Sequence, residues 1–209
     1  MMRIIVTPAV LPPAALAELK DWLGITSTAD DASLSALLAT ALDVCADFIG
    51  LMPLACTVEE NVPLPTGRRP IPAPADWQIR DYPGDWAMNA MMPDWYGLAT
   101  KPVSAITAVQ GIAADNSRTA LTAAQVQTRI EADGAACIRV SDTAGLTRAV
   151  VRFTAGVAAD WASLPVPLRH GIMRLAAHQY RSRDTNSTDA LPPASVAALW
   201  RPWRQMRLA

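Results

Sequence analysis

The chain has 209 residues, of which 51% are apolar, 18% are charged and seven are tryptophan. This length and apolar content suit one compact domain with a real core. A net charge of −1 excludes a general electrostatic attraction to nucleic acid, and a surface low in charge and rich in Trp is typical of a protein that another chain partly covers.

The N-terminal part of the chain predicts two helices. Pro13 suits the first turn of a helix whose apolar stripe includes Leu19 and Trp22, and Gly24 ends it. A second helix is predicted over Asp31–Ile49, because apolar residues recur there every three to four positions over four turns.

The middle of the chain predicts a small antiparallel sheet joined by hairpins. Partly alternating runs indicate strands over 56–62, 102–112, 128–132, 137–140 and 149–154, with a short helix or turn over 117–127. The proline-rich stretch 63–74 cannot be a helix. The stretch 77–95 is rich in Trp and Met but has no clean periodicity, so we expect a long loop or inserted subdomain. Loops of this length are usually functional or ordered by a partner.

The last third of the chain returns to a helical pattern. Pro165 and Pro167 bracket the start of one helix, and a polar break follows it. Pro193 opens a final helix that Pro202 should end or kink one turn early.

These elements predict an α+β fold that is mainly helical, with about four helices and a small antiparallel β subdomain inserted between the N-terminal and C-terminal helix pairs. We expect three parts: N-terminal helices over 1–55, a β-containing middle with the Pro/Trp-rich insertion over 56–160, and C-terminal helices with a docking tail over 161–209. Together they are expected to form one structural domain.

Side chains in the spacing of a known catalytic or metal site are missing from the sequence. His170 and His178 lie two helical turns apart, about 12 Å at 1.5 Å per residue, which is too far for one metal. Phosphate-binding glycine loops and the GxSxG motif are absent. We therefore expect no enzyme activity, no cofactor and no metal, although carboxylates distant in sequence could still meet in the fold.

The cysteines and the hydropathy pattern indicate a soluble protein made in the cytoplasm. Cys45, Cys56 and Cys137 are odd in number and form no CxxC pair, so neither a disulfide framework nor a zinc site is expected. No stretch approaches the roughly 20 apolar residues of a membrane helix, and the N-terminal apolar run is too short for a signal peptide. No membrane contact is expected.

Positive charge gathers at the C-terminal end. From Pro165 onward seven Arg stand against two Asp, a net charge of +5, so the remainder carries −6. Trp200 and Trp203 lie among these arginines and allow three interpretations: a core helix, a nucleic-acid site, or a protein-docking tail. We favour docking, because a terminal segment after Pro202 should have little of its own chain to bury against.

The order of these segments resembles the phage head-tail connector (adaptor) family, including the adaptor proteins of gene transfer agents. The resemblance covers both ends of the chain well and the middle loosely, and the stretch 77–95 departs from the family pattern. The segments that carry it are the helix 16–23, the long helix ending at Phe48-Ile49-Gly50, Lys101-Pro102-Val103, Val150-Val151-Arg152-Phe153-Thr154-Ala155-Gly156, Leu164-Pro165-Val166-Pro167-Leu168-Arg169-His170-Gly171-Ile172, His178-Gln179-Tyr180-Arg181, Leu191-Pro192-Pro193 and Leu199-Trp200-Arg201-Pro202-Trp203-Arg204.

The resemblance implies a ring of about twelve copies below the portal of a capsid. Helices would build the ring, the small sheet would face the downstream neck or stopper protein, and the C-terminal tail would dock on the portal. The expected portal-docking residues are Leu199, Trp200, Arg201, Trp203, Arg204, Met206, Arg207 and Leu208. The expected subunit-interface or tail-side residues are Trp77, Tyr82, Trp86, Trp95 and Tyr96, while Arg181 and Arg183 are candidates for the DNA channel, through non-specific contact with passing DNA, or for an acidic partner.

Three other functions stay open at this point. A stopper or tail terminator would be mainly β. A DNA-binding packaging factor would use the basic C-terminus and bind with a steep salt dependence. An unrecognised hydrolase would show turnover on some substrate.

Overall fold

The computed structural model describes residues 3–64, 95–182 and 192–204. The chain divides into two compact units. The strand unit comprises Met1–Thr7 and Thr57–Ala155, and the helical unit comprises Pro8–Cys56 and Gly156–Ala209. The predicted divisions at residues 55 and 160, and the expectation of one structural domain overall, stay predictions.

The two N-terminal helices confirm the sequence prediction. Helix α1 (Pro13–Leu23) ends at Gly24, whose φ of 72° is a left-handed conformation that glycine adopts without strain. Helix α2 (Asp31–Ile49) has the bounds that its apolar periodicity predicts, and it ends in the same way at Gly50, with a φ of 74°.

The C-terminal helices also follow the prediction. Helix α3 (Val166–Ser182) begins between the two prolines at 165 and 167, and helix α4 (Ala194–Trp200) follows Pro193. A 3-10 turn (Arg201–Trp203) continues α4, because Pro202 lacks the N–H that a longer α-helix would need.

The helical unit buries one core between its helices. Trp161 and Trp200 are its largest buried side chains. Around them pack aliphatic side chains from α1, α2 and α3, namely Leu19, Leu34, Leu38, Ile49, Leu168, Ile172 and Leu175. Burial of each such side chain contributes about 1.5–3 kcal/mol, so this core is the main source of the unit's stability.

Polar contacts hold the start of α2 against its neighbours. The Lys20 ammonium lies 2.7 Å from the Asp31 carboxylate, which links α1 to α2. The Tyr180 hydroxyl donates to the Asp30 carboxylate at 2.8 Å, which links the end of α3 to the same point. Asp30 and Asp31 therefore bind partners within the helical unit.

The strand unit contains two antiparallel sheets in the described part of the chain. The first has five strands in the order β1-β2-β8-β4-β5, and the second has three in the order β3-β7-β6. The strands are β1 (Arg3–Thr7), β2 (Cys56–Pro63), β3 (Trp95–Gly97), β4 (Val103–Ala113), β5 (Arg118–Ala120), β6 (Val126–Ile130), β7 (Ala136–Val140) and β8 (Leu146–Ala155).

A buried carboxylate stabilises the strand unit. Glu60 on β2 is 1% exposed and accepts hydrogen bonds from the backbone N–H groups of Ala99 and Thr100, at 2.7 and 3.1 Å. A buried charge is tolerated only when donors of this kind replace its water. Glu60 therefore fixes the backbone just after β3 onto β2.

The prediction of a mainly helical fold is wrong. Of the described residues about 35% are helical and 32% are strand, in four helices and eight strands, so neither class dominates. Four helices agree with the expected number, but β1, β3 and β5 were missed. β3 and β5 have only three residues each, and β1 reads Arg-Ile-Ile-Val-Thr without alternation, so none of them shows a period of two.

Candidate protein-interaction surfaces

The C-terminal helix places Trp200 inside the core of its own unit. Its indole is fully buried, lies 5.8 Å from the Phe48 ring, and its Nε1 donates to the Leu168 carbonyl at 3.4 Å. A Cβ on Gly171 would overlap that indole, so the glycine is required for this approach. The expectation that Trp200 has little of its own chain to bury against is therefore wrong.

The rest of the predicted docking segment is more accessible. Leu199 and Trp203 are half-buried against the core, whereas Arg201 and Arg204 are exposed. The Arg204 guanidinium lies 5.6 Å from the centre of the Phe48 ring, a cation–π contact. Met206, Arg207 and Leu208 lie outside the described residues.

A groove between α1 and α3 exposes Trp22, which the sequence placed only in the apolar stripe of α1. The groove has a volume of about 430 Å³ and is lined by Glu18, Asp21, Trp22, Val166, Arg169, His170 and Met173. Trp22 is 47% exposed and Val166 65% exposed. Trp22 meets His170 edge-on, with ring centres 5.3 Å apart, so the indole is held in place on the surface.

Helix α2 has an unusual exposed face. Ala32, Ala36, Ala39, Asp43 and Asp47 are all exposed and follow one another at helical spacing. Solvent-facing helix surfaces usually carry charged and polar residues throughout. This one is small and uncharged at its start, where Ser33, Ser35 and Thr40 are also exposed, and acidic at its end. Neither aspartate has a hydrogen bond or ion pair within the described part of the chain.

By length and composition alone, α2 could cross a membrane, and it is the only described helix for which this holds. A buried core helix passes the same test, and six residues of α2 lie in the core of the helical unit.

Helix α3 presents a basic face. Arg174 and Arg181 are exposed and lie seven residues apart, on the same side as His170. In the described residues neither arginine has an ion pair, whereas Arg169 lies 3.9 Å from Glu18. Arg183, the other predicted channel residue, is outside the described ranges.

The predicted tail-side aromatic cluster is described only in part. Trp95 and Tyr96 are half-buried on β3, opposite Arg139 and Ile138 of β7. Trp77, Tyr82 and Trp86 fall outside the described residues. Strand β1 forms an edge of the larger sheet and exposes a run of β-branched residues, Ile4, Ile5 and Val6.

The described residues offer few groups for chemistry. No three His, Cys, Asp or Glu side chains among them lie together as a metal site would require. Burial raises the pKa of the Cys45 thiol to about 12, so it is a protonated core residue at neutral pH. Burial also raises the pKa of Cys137.

Solved structures with the same fold come from gene transfer agent (GTA) particles. No protein-family model and no curated protein matches the chain. A chain in the virion of the native gene transfer agent particle is 25% identical, with a TM-score of 0.67. Chains in the neck of the empty GTA particle, computed with C6 symmetry, and in the neck of the native particle, computed with C12 symmetry, are each 24% identical, with TM-scores of 0.67 and 0.66.

Each of these similarities covers 100% of this chain and 98% of the other. The protein therefore has the fold of GTA particle chains along its whole length.

Proposed function

We propose that this protein is a structural, non-enzymatic subunit of the neck of a phage-like particle such as a gene transfer agent. It acts there as the head-tail connector, or adaptor. About twelve copies form a ring that joins the portal of the capsid to the downstream neck or stopper protein and forms part of the DNA channel.

The observation that carries this proposal is the shared fold over the complete chain. Both units match, and the solved neck structures were computed with cyclic symmetry, C6 and C12. Cyclic symmetry requires two different faces on each copy that bind each other, and the helical unit carries an acidic face and a basic face.

The C-terminal segment docks on the portal in this proposal, with roles that its burial revises. Trp200 supports the segment from inside the core. Leu199, Arg201, Trp203 and Arg204, followed by Met206, Arg207 and Leu208, provide the contact surface. Trp and Arg are the residue types that most often dominate binding energy.

The strand unit faces the tail side, where Trp77, Tyr82, Trp86, Trp95 and Tyr96 contact a neighbouring copy or the next neck protein. Arg181 and Arg183 meet either the passing DNA or an acidic partner. A stopper or tail terminator is the competing neck assignment. A helix content of about 35% in the part of the chain that the structure describes favours the adaptor over those mainly β proteins.

Purified full-length protein mixed with the purified portal of the same particle tests the proposal. Native mass spectrometry should show about one copy of this protein for each portal subunit in a closed complex. Binding only after another neck protein has been added would identify a stopper. DNA binding that weakens steeply with salt, without portal binding, would identify a packaging factor instead.

A further inference from the structure

We infer that neighbouring copies bind each other through their helical units: the exposed face of α2 in one copy packs along the α1–α3 groove and the basic face of α3 in the next copy. The inference rests on the proposed ring. It adds which surfaces meet and which side chains decide the contact.

In the helical unit the N-terminal segment is mostly acidic and the C-terminal segment is mostly basic. Residues 8–56 hold six acidic side chains and one lysine, whereas the chain after Pro165 has a net charge of +5. Three of the six acids, Glu18, Asp30 and Asp31, already bind partners inside the unit. The remaining acids are Asp21, Asp43 and Asp47.

The basic side of the unit also leaves charges available. Arg174 and Arg181 are exposed on α3 without an ion pair in the described residues. One unit therefore carries an unpaired acidic pair on α2 and an unpaired basic pair on α3. Opposite charges on different faces favour head-to-tail contacts between copies, which close into a ring.

The apolar parts of the two faces also match. On α3 and α1, Trp22 and Val166 stand out from the groove beside His170. On α2, the alanines at 32, 36 and 39 leave a shallow surface on which a projecting indole can lie. Covering a half-exposed Trp removes apolar area from water, which stabilises the contact.

On both helices the residues that would meet at the groove come first and the charged pair comes second. Ala36 precedes Asp47 by eleven residues, and His170 precedes Arg181 by eleven, about 16 Å in each case. A parallel alignment that sets Ala36 beside His170 brings Asp47 to Arg181. Asp43 then lies about 4.5 Å along the axis from Arg174, within the reach of an arginine side chain.

Two charge-reversed variants test this pairing. In the first, Asp43→Arg and Asp47→Arg make the α2 face basic. In the second, Arg174→Glu and Arg181→Glu make the α3 face acidic. Each variant alone places like charges together at every junction, so assembly should be lost at concentrations where the wild type forms rings, either free or on portal rings.

A mixture of the two variants is the decisive sample. Junctions between unlike variants pair Arg with Glu or Asp with Arg, so an alternating assembly should form again. Native mass spectrometry would show complexes that contain both variants in equal number. All four positions are exposed, and circular dichroism with a thermal melt verifies that each variant folds.

A control matched to the α3 variant changes Arg118→Glu and Arg129→Glu, two exposed arginines of the strand unit, with the same change in net charge as that variant. That control should assemble as the wild type does. The inference is overturned if the α2 and α3 variants each assemble alone. It is also overturned if neither assembles alone and their mixture does not assemble either. In either case wild-type rings on the portal would leave the proposed function standing, whereas their absence would remove it.

Discussion

At the residue scale, Trp200 shows how a terminal segment becomes part of a core. The indole fills the space above Gly171 of α3 and contacts Phe48 of α2, so this one side chain packs α4 against both helices. Truncating a buried Trp to Ala costs about 3–5 kcal/mol. Removing residues from 199 onward would therefore remove part of the fold together with any docking surface.

The fit between Gly171 and Trp200 is testable by substitution. Alanine at 171 gains up to about 1 kcal/mol of helix propensity, but its Cβ overlaps the indole, and overpacking costs about 1–3 kcal/mol. We expect Gly171→Ala to lower the free energy of unfolding in urea. In a Trp200→Phe background the same change should cost less, because the indole nitrogen is gone. Equal costs in both backgrounds would contradict the contact.

Thiol labelling tests the burial of the cysteines. Cys45 and Cys56 are buried, and burial holds the pKa of Cys45 near 12, so neither should react with a maleimide at pH 7 in the folded protein. Cys137 is half-buried and should react slowly. Intact mass spectrometry should find at most one label before denaturation and three after it. Fast labelling of Cys45 would contradict the core.

At the element scale, the long helices could be predicted, whereas three of the short strands could not. Asp31–Ile49 was predicted to the residue because its apolar positions repeat over four turns, and glycines mark the ends of α1 and α2. The strand predicted over 128–132 lies two residues earlier, at Val126–Ile130. Strands as short as three residues, such as β3 and β5, are defined by their partners across the sheet, which the local sequence does not contain.

The interaction surfaces were also only partly predictable. The Arg-rich end was evident from composition, but which tryptophan is buried depends on Gly171, about thirty residues away. Trp22 looked like a member of an apolar stripe, yet it lies on the outer side of α1. Its position next to Asp21 in a helix with polar neighbours was the one available signal.

Trp22 is expected to matter for assembly more than for folding. Trp22→Ala removes a half-exposed ring and its contact with His170, worth about 1 kcal/mol of stability. At the centre of an interface such a truncation costs at least about 2 kcal/mol, or ~30-fold in Kd. Sedimentation of the variant should show weaker self-association with little change in Tm. Ile130→Ala, an exposed apolar change in the strand unit, serves as the control.

The exposed arginines after α4 are expected to govern portal binding. Arg201→Glu and Arg204→Glu leave Trp200 in the core and remove only the Arg204 contact with Phe48, worth about 0.5–1 kcal/mol, so the protein should fold with a Tm lowered by a few degrees at most. Capture by immobilised portal rings should fall at least tenfold, about 1.4 kcal/mol. Unchanged capture would show that this segment does not dock on the portal. A large fall in Tm would show that the arginines stabilise the fold instead of docking.

At the scale of the whole molecule, the faces described above fit the proposed ring, in which neighbouring copies would cover them. The helical unit carries unpaired acids on one helix, unpaired arginines on another, and an exposed Trp between two of its helices. In a protein without neighbours this arrangement adds no stability, because exposed apolar side chains are unfavourable in water and the charges are already hydrated. The proposed ring of identical copies would cover all of them at once.

Cryo-electron microscopy of the purified protein bound to the portal of its own particle tests this account most directly. We expect a closed ring with the symmetry of the portal, in which α2 of each copy lies along α3 of the next and the residues after Trp200 contact the portal. A solitary copy, or a ring that leaves both helix faces in solvent and touches another neck protein in place of the portal, would contradict the account.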